Sequence, residues 1–228
     1  MGNNNKLKRF DTRKIVGIAV FAALAYVVAV ICQLIPQVQG FLSLDFKDAV
    51  IAMASFIYGP IAAVLISLIV ATLELVTISG TFWYGFIMNF ASSATFSLVA
   101  CLIYKKFKSL NGALVSFTAS IIATVSVMLT LNIFVTPLYM EWMGIPLDRE
   151  GVIKMIPKVL LPFNLAKSLI SSALAMMLYK PVATAMRRVG FAVGDAKKMT
   201  FNRASVIILS VGALFIVGAV ILLLSIPS

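Results

Sequence analysis

Three polar residues near the ends of two predicted membrane spans are the best candidates for ligand binding. Asn132, Asn164 and Lys167 interrupt sequence that is otherwise almost entirely apolar. An amide or ammonium group facing lipid costs several kcal/mol, so such groups usually face a cavity, a partner or a substrate. Two amides and an ammonium group can hydrogen bond to a polyhydroxyl chain or a heterocycle edge. The alternative is that Lys167 extends toward lipid headgroups and the asparagines bond across helices.

A segment of alternating apolar and polar residues precedes the second predicted span. It reads FLSLDFKD over residues 41–48. This alternation predicts a lid, within residues 36–45 and the start of the span, that lays Leu44 and Phe46 over a pocket while its charged side chains face water. Asp48 and Glu74 are expected on the same side of the membrane. Pairing with Lys47 or Lys167 is the simplest role for these carboxylates, and contact with a ligand is the other.

The start of the fourth predicted span is a third candidate segment. Gly85 and Asn89 lie there among aromatic residues and a methionine. Aromatic rings, methionine and glycine suit contact with a flat ligand. The alternative is an aromatic belt at the membrane interface, which we expect Trp83 and Tyr84 to join in any case.

The residue patterns of common enzymes are missing from the sequence. It has no histidine, and its two cysteines, Cys32 and Cys101, map to opposite faces of the predicted membrane domain. No glycine-rich loop ending in Gly-Lys-Ser or Gly-Lys-Thr is present, which excludes ATP hydrolysis by that route. We therefore predict neither an enzyme nor a metal or cofactor site. The net charge of +11 is dispersed beside membrane spans, which favours contact with anionic lipid over nucleic acid.

Membrane helices must position these side chains. Of the 228 residues, 61% are apolar and 12% are charged, and the mean hydropathy is +1.06. This composition predicts an all-α integral membrane protein, and the short alternating strands of a membrane barrel are not seen. We expect seven spans, at residues 13–35, 46–58, 60–78, 82–104, 110–136, 157–180 and 204–226.

The second and third spans depend on how the apolar run at residues 49–73 is divided. Gly59 and Pro60 lie in its middle and favour a turn between two helices. With this hairpin and a cytoplasmic N-terminus, the basic clusters at 6–14, 105–108 and 180–203 all lie on the cytoplasmic side, as the positive-inside rule requires. A single span would move the last two clusters outside. The second span is then short, with a reach of only about 20 Å.

The predicted organisation has four parts: a cytoplasmic tail (1–12), a six-helix substrate-binding membrane domain (13–180), a basic cytoplasmic connector (181–203) and an additional transmembrane helix (204–228). On the first span, Ala19 and Ala23 are four residues apart, as are Ala25 and Ala29. Small residues at this spacing let another helix approach closely. The spacing fits packing within the bundle and docking of a separate membrane subunit equally well.

Taken together, these features resemble the substrate-binding S component of energy-coupling factor (ECF) transporters, and within that family the riboflavin-specific members. The resemblance covers about residues 10–180. It rests on the segment at 44–48, the hairpin sequence FIYGP at 56–60 and the alanine pair Ala19 and Ala23. It also rests on Asn132, Asn164 and Lys167, because equivalent side chains hold the flavin by hydrogen bonds in the riboflavin-specific members.

The resemblance implies a six-helix capsule that binds riboflavin at the outer face of a bacterial cytoplasmic membrane. Delivery then requires a transmembrane coupling subunit and two cytoplasmic ATPases. The resemblance implies that Ala19 and Ala23 meet the coupling subunit and that Phe41, Leu44 and Phe46 close the pocket. The seventh span departs from the six helices usual in the family, and its role is open. The rival interpretations are the same fold with another small vitamin and an autonomous secondary transporter driven by an ion gradient.

Overall fold

The chain folds into a bundle of membrane-length helices, which confirms the predicted all-α membrane class. The computed structural model describes residues 12–107, 110–191 and 203–226, and within these ranges every element longer than an isolated bridge is helical. Six helical stretches among the described residues are long and apolar enough to cross a membrane. The elements are α1 (Thr12–Cys32), α2 (Lys47–Tyr58), α3 (Pro60–Thr77), α4 (Phe82–Lys106), α5 (Leu110–Trp142), α6 (Arg149–Met155), a π-helical turn (Ile156–Leu160), α7 (Leu161–Arg188) and α8 (Arg203–Leu224).

The hairpin of α2 and α3 confirms the division predicted from Gly59 and Pro60. Gly59 has φ +97°, in the left-handed region where a side chain is strained, and Pro60 starts α3, where a helix needs no N–H donor. With 12 residues, α2 is about 18 Å long. This is well short of the roughly 30 Å of a hydrocarbon core. Residues 33–46 fill the remaining depth, at the end of the bundle that we call the loop face.

The short helix α2 lies at the centre of the bundle. It contacts α1, α3, α4 and α7, and every residue from 47 to 55 is buried. At its other end, Tyr58 packs edge to face on Phe21, with ring centroids 5.9 Å apart, and donates a hydrogen bond to the Phe191 carbonyl at 3.0 Å. Gly17 of α1 lies directly beneath the Tyr58 hydroxyl and leaves no room for a Cβ. Small residues therefore set the close approach of α1 and α2.

The sixth predicted span is longer than expected at both ends. The sequence predicts a span at 157–180, whereas the chain is helical from Arg149 to Arg188 through α6, the π-helical turn and α7. Pro181 lies inside α7, so the predicted connector at 181–203 starts as a continuation of that helix. A proline removes one backbone N–H donor, but packing against neighbouring helices lets a membrane helix continue through it.

Two further helices bear on the predicted boundaries. α5 continues through Pro137 to Trp142, beyond the predicted end at residue 136. The seventh span is present as α8, which packs against α7 and exposes most of its apolar surface. Residues 1–11 of the predicted tail and 192–202 of the predicted connector lie outside the described residues.

Candidate functional site

A cavity opens at the loop face between residues 33–45 and the ends of α1, α3, α4, α5 and α7. Its volume is about 130 Å³, which is smaller than small-molecule sites of roughly 300–1,000 Å³. Side chains therefore fill much of the interior, and the remaining space lies at the open mouth. Seven of the eight residues predicted to bind substrate line this cavity: Asn132, Asn164, Lys167, Leu44, Phe41, Asn89 and Gly85.

One wall of the cavity is a chain of buried ion pairs. Asp45 Oδ2 accepts hydrogen bonds from Lys167 Nζ at 2.9 Å and from Lys47 Nζ at 3.2 Å. Lys47 Nζ also lies 2.8 Å from Glu74 Oε1, and Asn89 Nδ2 donates to Glu74 Oε2 at 2.9 Å. None of the four charged residues is more than 7% exposed. This network ties the loop to α2, α3, α4 and α7.

Asp45 is the anion that the two lysines share. Burial alone would raise the pKa of its carboxyl group, but the charges of Lys167 and Lys47 outweigh burial and lower the pKa to about 2. The carboxylate is therefore ionised at neutral pH. Its Oδ1 is buried and has no hydrogen-bond partner among the described residues. Because an unpaired buried acceptor is costly, this oxygen is suited to accept an N–H or O–H of a bound molecule.

Leu44 of the predicted lid lines the cavity, whereas the prediction that the charged side chains of the lid face water is wrong. Leu44 is buried, but Asp45, Lys47 and Asp48, which were expected to face water, are only 6%, 1% and 2% exposed. Apart from Asp45 Oδ1, hydrogen bonds and opposite charges inside the bundle satisfy these groups. These charged side chains therefore fix the loop to the bundle through buried contacts and do not face water.

The two carboxylates expected to pair with lysine behave differently. Glu74 pairs with Lys47, which confirms the expectation. Asp48 instead accepts hydrogen bonds from the hydroxyls of Ser92, at 3.3 Å, and Ser93. No lysine nitrogen in the described ranges lies within ion-pair distance of Asp48. Asp48 thus links α2 to α4, behind the cavity.

Phe46 is the one predicted substrate-binding residue that does not line the cavity. Its side chain packs against an apolar cluster that we call the loop cluster, formed by Leu42, Leu44, Val152, Val159, Leu160 and Phe163. Phe46 is the N-cap residue of α2, with ψ 11°, so the extended alternation that predicted its direction has already ended. Its role is to anchor the loop from behind.

Asn132 and Asn164 face the cavity from α5 and α7 and are held by their own helices. Asn132 Nδ2 donates to the Met128 carbonyl at 2.7 Å, and Asn132 Oδ1 accepts from Thr136 Oγ1 at 2.8 Å. Asn164 Nδ2 donates to the Leu160 carbonyl at 2.7 Å. A carboxamide has two N–H donors and two acceptor lone pairs, so each asparagine keeps capacity for a ligand.

A π-helical turn sets the direction in which Asn164 and Lys167 point. Over residues 156–160 the helix widens, and Leu161 N donates to the Ile156 carbonyl, five residues back. One extra residue per turn rotates everything that follows, and such turns are frequent at functional sites.

Two aromatic rings in contact line the cavity, and a third packs beside them outside its wall. Tyr84 and Tyr139 both line the cavity, with ring centroids 5.9 Å apart. Trp142 is 53% exposed, and its ring centroid lies 6.3 Å from that of Tyr139 and 6.5 Å from that of Tyr84. Trp83 is 65% exposed, contacts Phe86 and does not line the cavity, as expected for an interfacial belt. Tyr84 therefore belongs to the site and Trp83 to the surface.

The two alanine pairs of α1 face in different directions. Ala25 and Ala29 are buried against the bundle, at 0% and 2% exposed. Ala19 and Ala23 are exposed. Of the two roles left open by the sequence, internal packing therefore belongs to Ala25 and Ala29, while Ala19 and Ala23 lie on open surface.

Sequence reasoning missed two features of the site. Asp45 is the partner of Lys167 across 122 residues, so no spacing rule connects the two. The signal that was present is chemical, because a lysine buried in a membrane needs a carboxylate. Tyr139 was missed because the fifth span was expected to end at 136, before Pro137.

Comparison with known proteins gives consistent results. The family model for the substrate-specific component of ECF transporters matches residues 13–179. A riboflavin transporter RibU of Staphylococcus aureus is 28% identical over 190 residues, covering 83% of this chain and all of that protein. A riboflavin transporter FmnP of Bacillus subtilis is 25% identical over 172 residues, covering 73% of this chain and 90% of that protein. A solved S component of a bacterial ECF transporter has a TM-score of 0.64 at 27% identity and covers 78% of this chain and 99% of its own.

Proposed function

The chain belongs to the family of ECF transporter substrate-specific components, and on that premise we propose that it is the riboflavin-binding subunit of an ECF-type vitamin uptake transporter. Members of this family are multi-pass membrane proteins that bind a substrate and are not enzymes. The observation that carries the proposal is that Asn132, Asn164 and Lys167, from α5 and α7, line one cavity covered by residues 33–46.

The groups lining the cavity support a flavin as the ligand. Riboflavin joins a flat three-ring system, with an N–H and several acceptor atoms on its polar edge, to a hydroxylated chain. Tyr84 and Tyr139 offer aromatic surface to the rings. Lys167 donates one of its three N–H bonds to Asp45 and keeps two for the ligand. Asp45 Oδ1 accepts from the flavin N–H or from a hydroxyl, and the asparagine amides complete the polar edge.

On this proposal the chain captures the vitamin and a separate module supplies the energy. The sequence carries no nucleotide-binding loop of its own, which fits this division. We propose that the module comprises a transmembrane coupling subunit and two cytoplasmic ATPases. The exposed pair Ala19 and Ala23 on α1 is the docking surface for the coupling subunit. Around this pair the surface is apolar, with Val16 40% and Val20 42% exposed. Small side chains there allow helices to pack closely in lipid.

The loop face is the outer face of a bacterial cytoplasmic membrane, with the N-terminus inside. This orientation follows from the positive-inside rule and is needed for capture from outside the cell. Glu150→Cys, at the loop face, should react with a membrane-impermeant maleimide in intact cells. Arg188→Cys, at the opposite end of the bundle, should react only after permeabilisation. The reverse pattern would overturn the orientation.

Riboflavin binding tests the proposal directly. Purified protein is titrated into riboflavin, and quenching of the flavin fluorescence is followed to a stoichiometry of one ligand per chain. A panel of other water-soluble vitamins is then added as competitors. We expect quenching that only flavins reverse. A colourless preparation that does not quench riboflavin would refute the assignment, and displacement by another vitamin would reassign the ligand.

Reconstitution separates a binding subunit from an autonomous transporter. Proteoliposomes that contain this chain alone should bind riboflavin without accumulating it, with or without a sodium or proton gradient. Accumulation driven by either gradient would refute the proposed division of labour between this chain and an ATP-driven module.

A further inference from the structure

Helix α8 is the part of the molecule that the proposed function leaves unexplained. The family model ends at residue 179, and the S. aureus relative is covered completely by 83% of this chain. α8, from Arg203 to Leu224, therefore lies beyond the matched family unit. Its outer surface is apolar, with Leu214 69% and Ile221 61% exposed, as expected for a lipid-facing helix.

A narrow stripe of α8 contacts the bundle. Gly212 and Ala219, seven residues and two turns apart, are buried against the neighbouring helix. A Cβ at Gly212 would lie 2.9 Å from Met177 Cε, so glycine permits the close approach of α8 to α7. Packing along this stripe sets the direction of α8, so that its last turn lies at the loop face.

The last turn of α8 and the residues just after it lie against the loop cluster. Leu223 and Ile226 are partly buried and pack against the cluster. Three cluster members, Leu42, Leu44 and Phe163, also line the cavity. A helix from outside the family unit thus supports the rear of the binding-site wall. Beside this contact an open groove separates α8 from the start of α7, lined by Pro157, Lys158, Leu161, Pro162, Leu165, Leu222 and Ser225.

The loop that covers the cavity has little structure of its own. Its only ladder-like pairing is the bridge between Val38 and Leu42, with backbone hydrogen bonds of 2.9 and 3.0 Å. It is also held by a hydrogen bond from Gln37 to Ser43, by Asp45 on Lys167 and Lys47, and by the apolar packing of Leu42, Leu44 and Phe46. Besides the ion pairs, apolar packing keeps this loop closed, so each apolar contact behind it lengthens the time it stays closed.

We infer that α8 is a brace for the binding-site loop, in which Leu223 and Ile226 act as positioning residues that slow the release of bound ligand. The inference rests on the proposed function for the identity of the ligand. The opening of the loop itself can be measured in the ligand-free protein. Since Leu223 and Ile226 touch the cluster and not the cavity, they act on the wall rather than on the ligand.

Matched variants of α8 test the brace on the full-length protein. In Leu223→Ala and Ile226→Ala, release of prebound riboflavin, followed by recovery of its fluorescence, should be roughly three- to tenfold faster, the change expected for partial loss of a buried side chain. The association rate and the unfolding temperature should stay at wild-type values. Leu224→Ala is the control, because Leu224 is 81% exposed. Leu223→Met, which keeps the volume, should restore slow release.

Hydrogen–deuterium exchange of the ligand-free protein provides the second measurement. Residues 38–46 should exchange faster in Leu223→Ala and Ile226→Ala than in the wild type and in Leu224→Ala. Unchanged exchange and unchanged release would overturn the brace, as would equal changes in the Leu224→Ala control. If the wild-type protein failed to bind riboflavin, the proposed function would fall while the exchange measurement still decided the role of α8.

Discussion

Replacing Lys167 by methionine separates two roles that its ammonium group can have. The group donates to Asp45 Oδ2 at 2.9 Å, and it faces the cavity with two further N–H donors. Methionine keeps the length of the side chain and removes the charge. If the free donors hold riboflavin, affinity must fall. If the ammonium only neutralises Asp45, the variant loses stability but not a ligand contact.

The expected changes follow from burial and charge. A charge-assisted hydrogen bond contributes roughly 1.5–3 kcal/mol, so the affinity of Lys167→Met for riboflavin should fall roughly 10- to 150-fold. Removing one partner from a buried ion pair costs about 3–5 kcal/mol of stability. We expect the lower end of that range, because Asp45 keeps Lys47 at 3.2 Å. Fluorescence titration measures the first change and thermal unfolding in detergent measures the second.

The double variant Asp45→Asn with Lys167→Met distinguishes the two roles. It removes both charges of the pair, so the net charge of the buried cluster returns to its original value. Stability should recover by roughly 1–3 kcal/mol relative to Lys167→Met, the usual size of coupling between paired groups. Affinity should stay low, because the lost donors are not replaced. A double variant with wild-type affinity would refute direct contact between Lys167 and the ligand.

An exposed lysine serves as the control for charge removal. Lys154 pairs with Glu150 at 2.8 Å, but both side chains are more than 70% exposed. Such pairs contribute about 0–1 kcal/mol. Lys154→Met should therefore change neither the unfolding temperature nor the riboflavin affinity by a measurable amount.

Three other substitutions test separate parts of the structure. Tyr84→Ala, in the wall of the cavity, should weaken riboflavin binding roughly two- to tenfold through loss of one aromatic contact, whereas the neighbouring Trp83→Ala should not; equal effects in the titration would contradict the assignment of Tyr84 to the site. Gly17→Val should destabilise the protein by about 1–3 kcal/mol in thermal unfolding, because its side chain displaces the tyrosine above it, and an unchanged transition would contradict that packing. Ala19→Trp with Ala23→Trp should leave riboflavin affinity intact and reduce ATP-dependent uptake by the complete transporter; normal uptake would move the docking surface elsewhere.

The helices could be predicted because lipid imposes a simple rule on the sequence. Backbone groups in hydrocarbon must be satisfied within the segment, so a long apolar run is a helix. Gly59 and Pro60 then mark the hairpin, since one accepts positive φ and the other needs no donor. The same rule made helix ends hard to predict. Pro137 and Pro181 suggest ends in an aqueous loop, but packed neighbours carry α5 and α7 past them.

Residues of the candidate site could be predicted from the sequence, but the contacts between them could not. Asn132, Asn164 and Lys167 stand out because polar groups are rare in apolar spans, and all three line the cavity. The pairing of Asp45 with Lys167 depends on how residues 33–46 fold back on α7, which no local pattern encodes. Phe46 illustrates the same limit, because a single turn into α2 directs its side chain away from the cavity.

Because α2 is short, the distance across the membrane that remains for a bound vitamin is also short. Asp45, which precedes α2, and Lys47, the first residue of α2, are part of the cavity wall. From there the helix runs only about 18 Å to the opposite side, against about 30 Å of hydrocarbon. With the far end of α2 at one boundary of the hydrocarbon core, a molecule held beside Lys47 would lie about 12 Å inside the other boundary. On the proposed function, binding free energy alone would drive this first part of the crossing, and the separate energising module would complete the remainder.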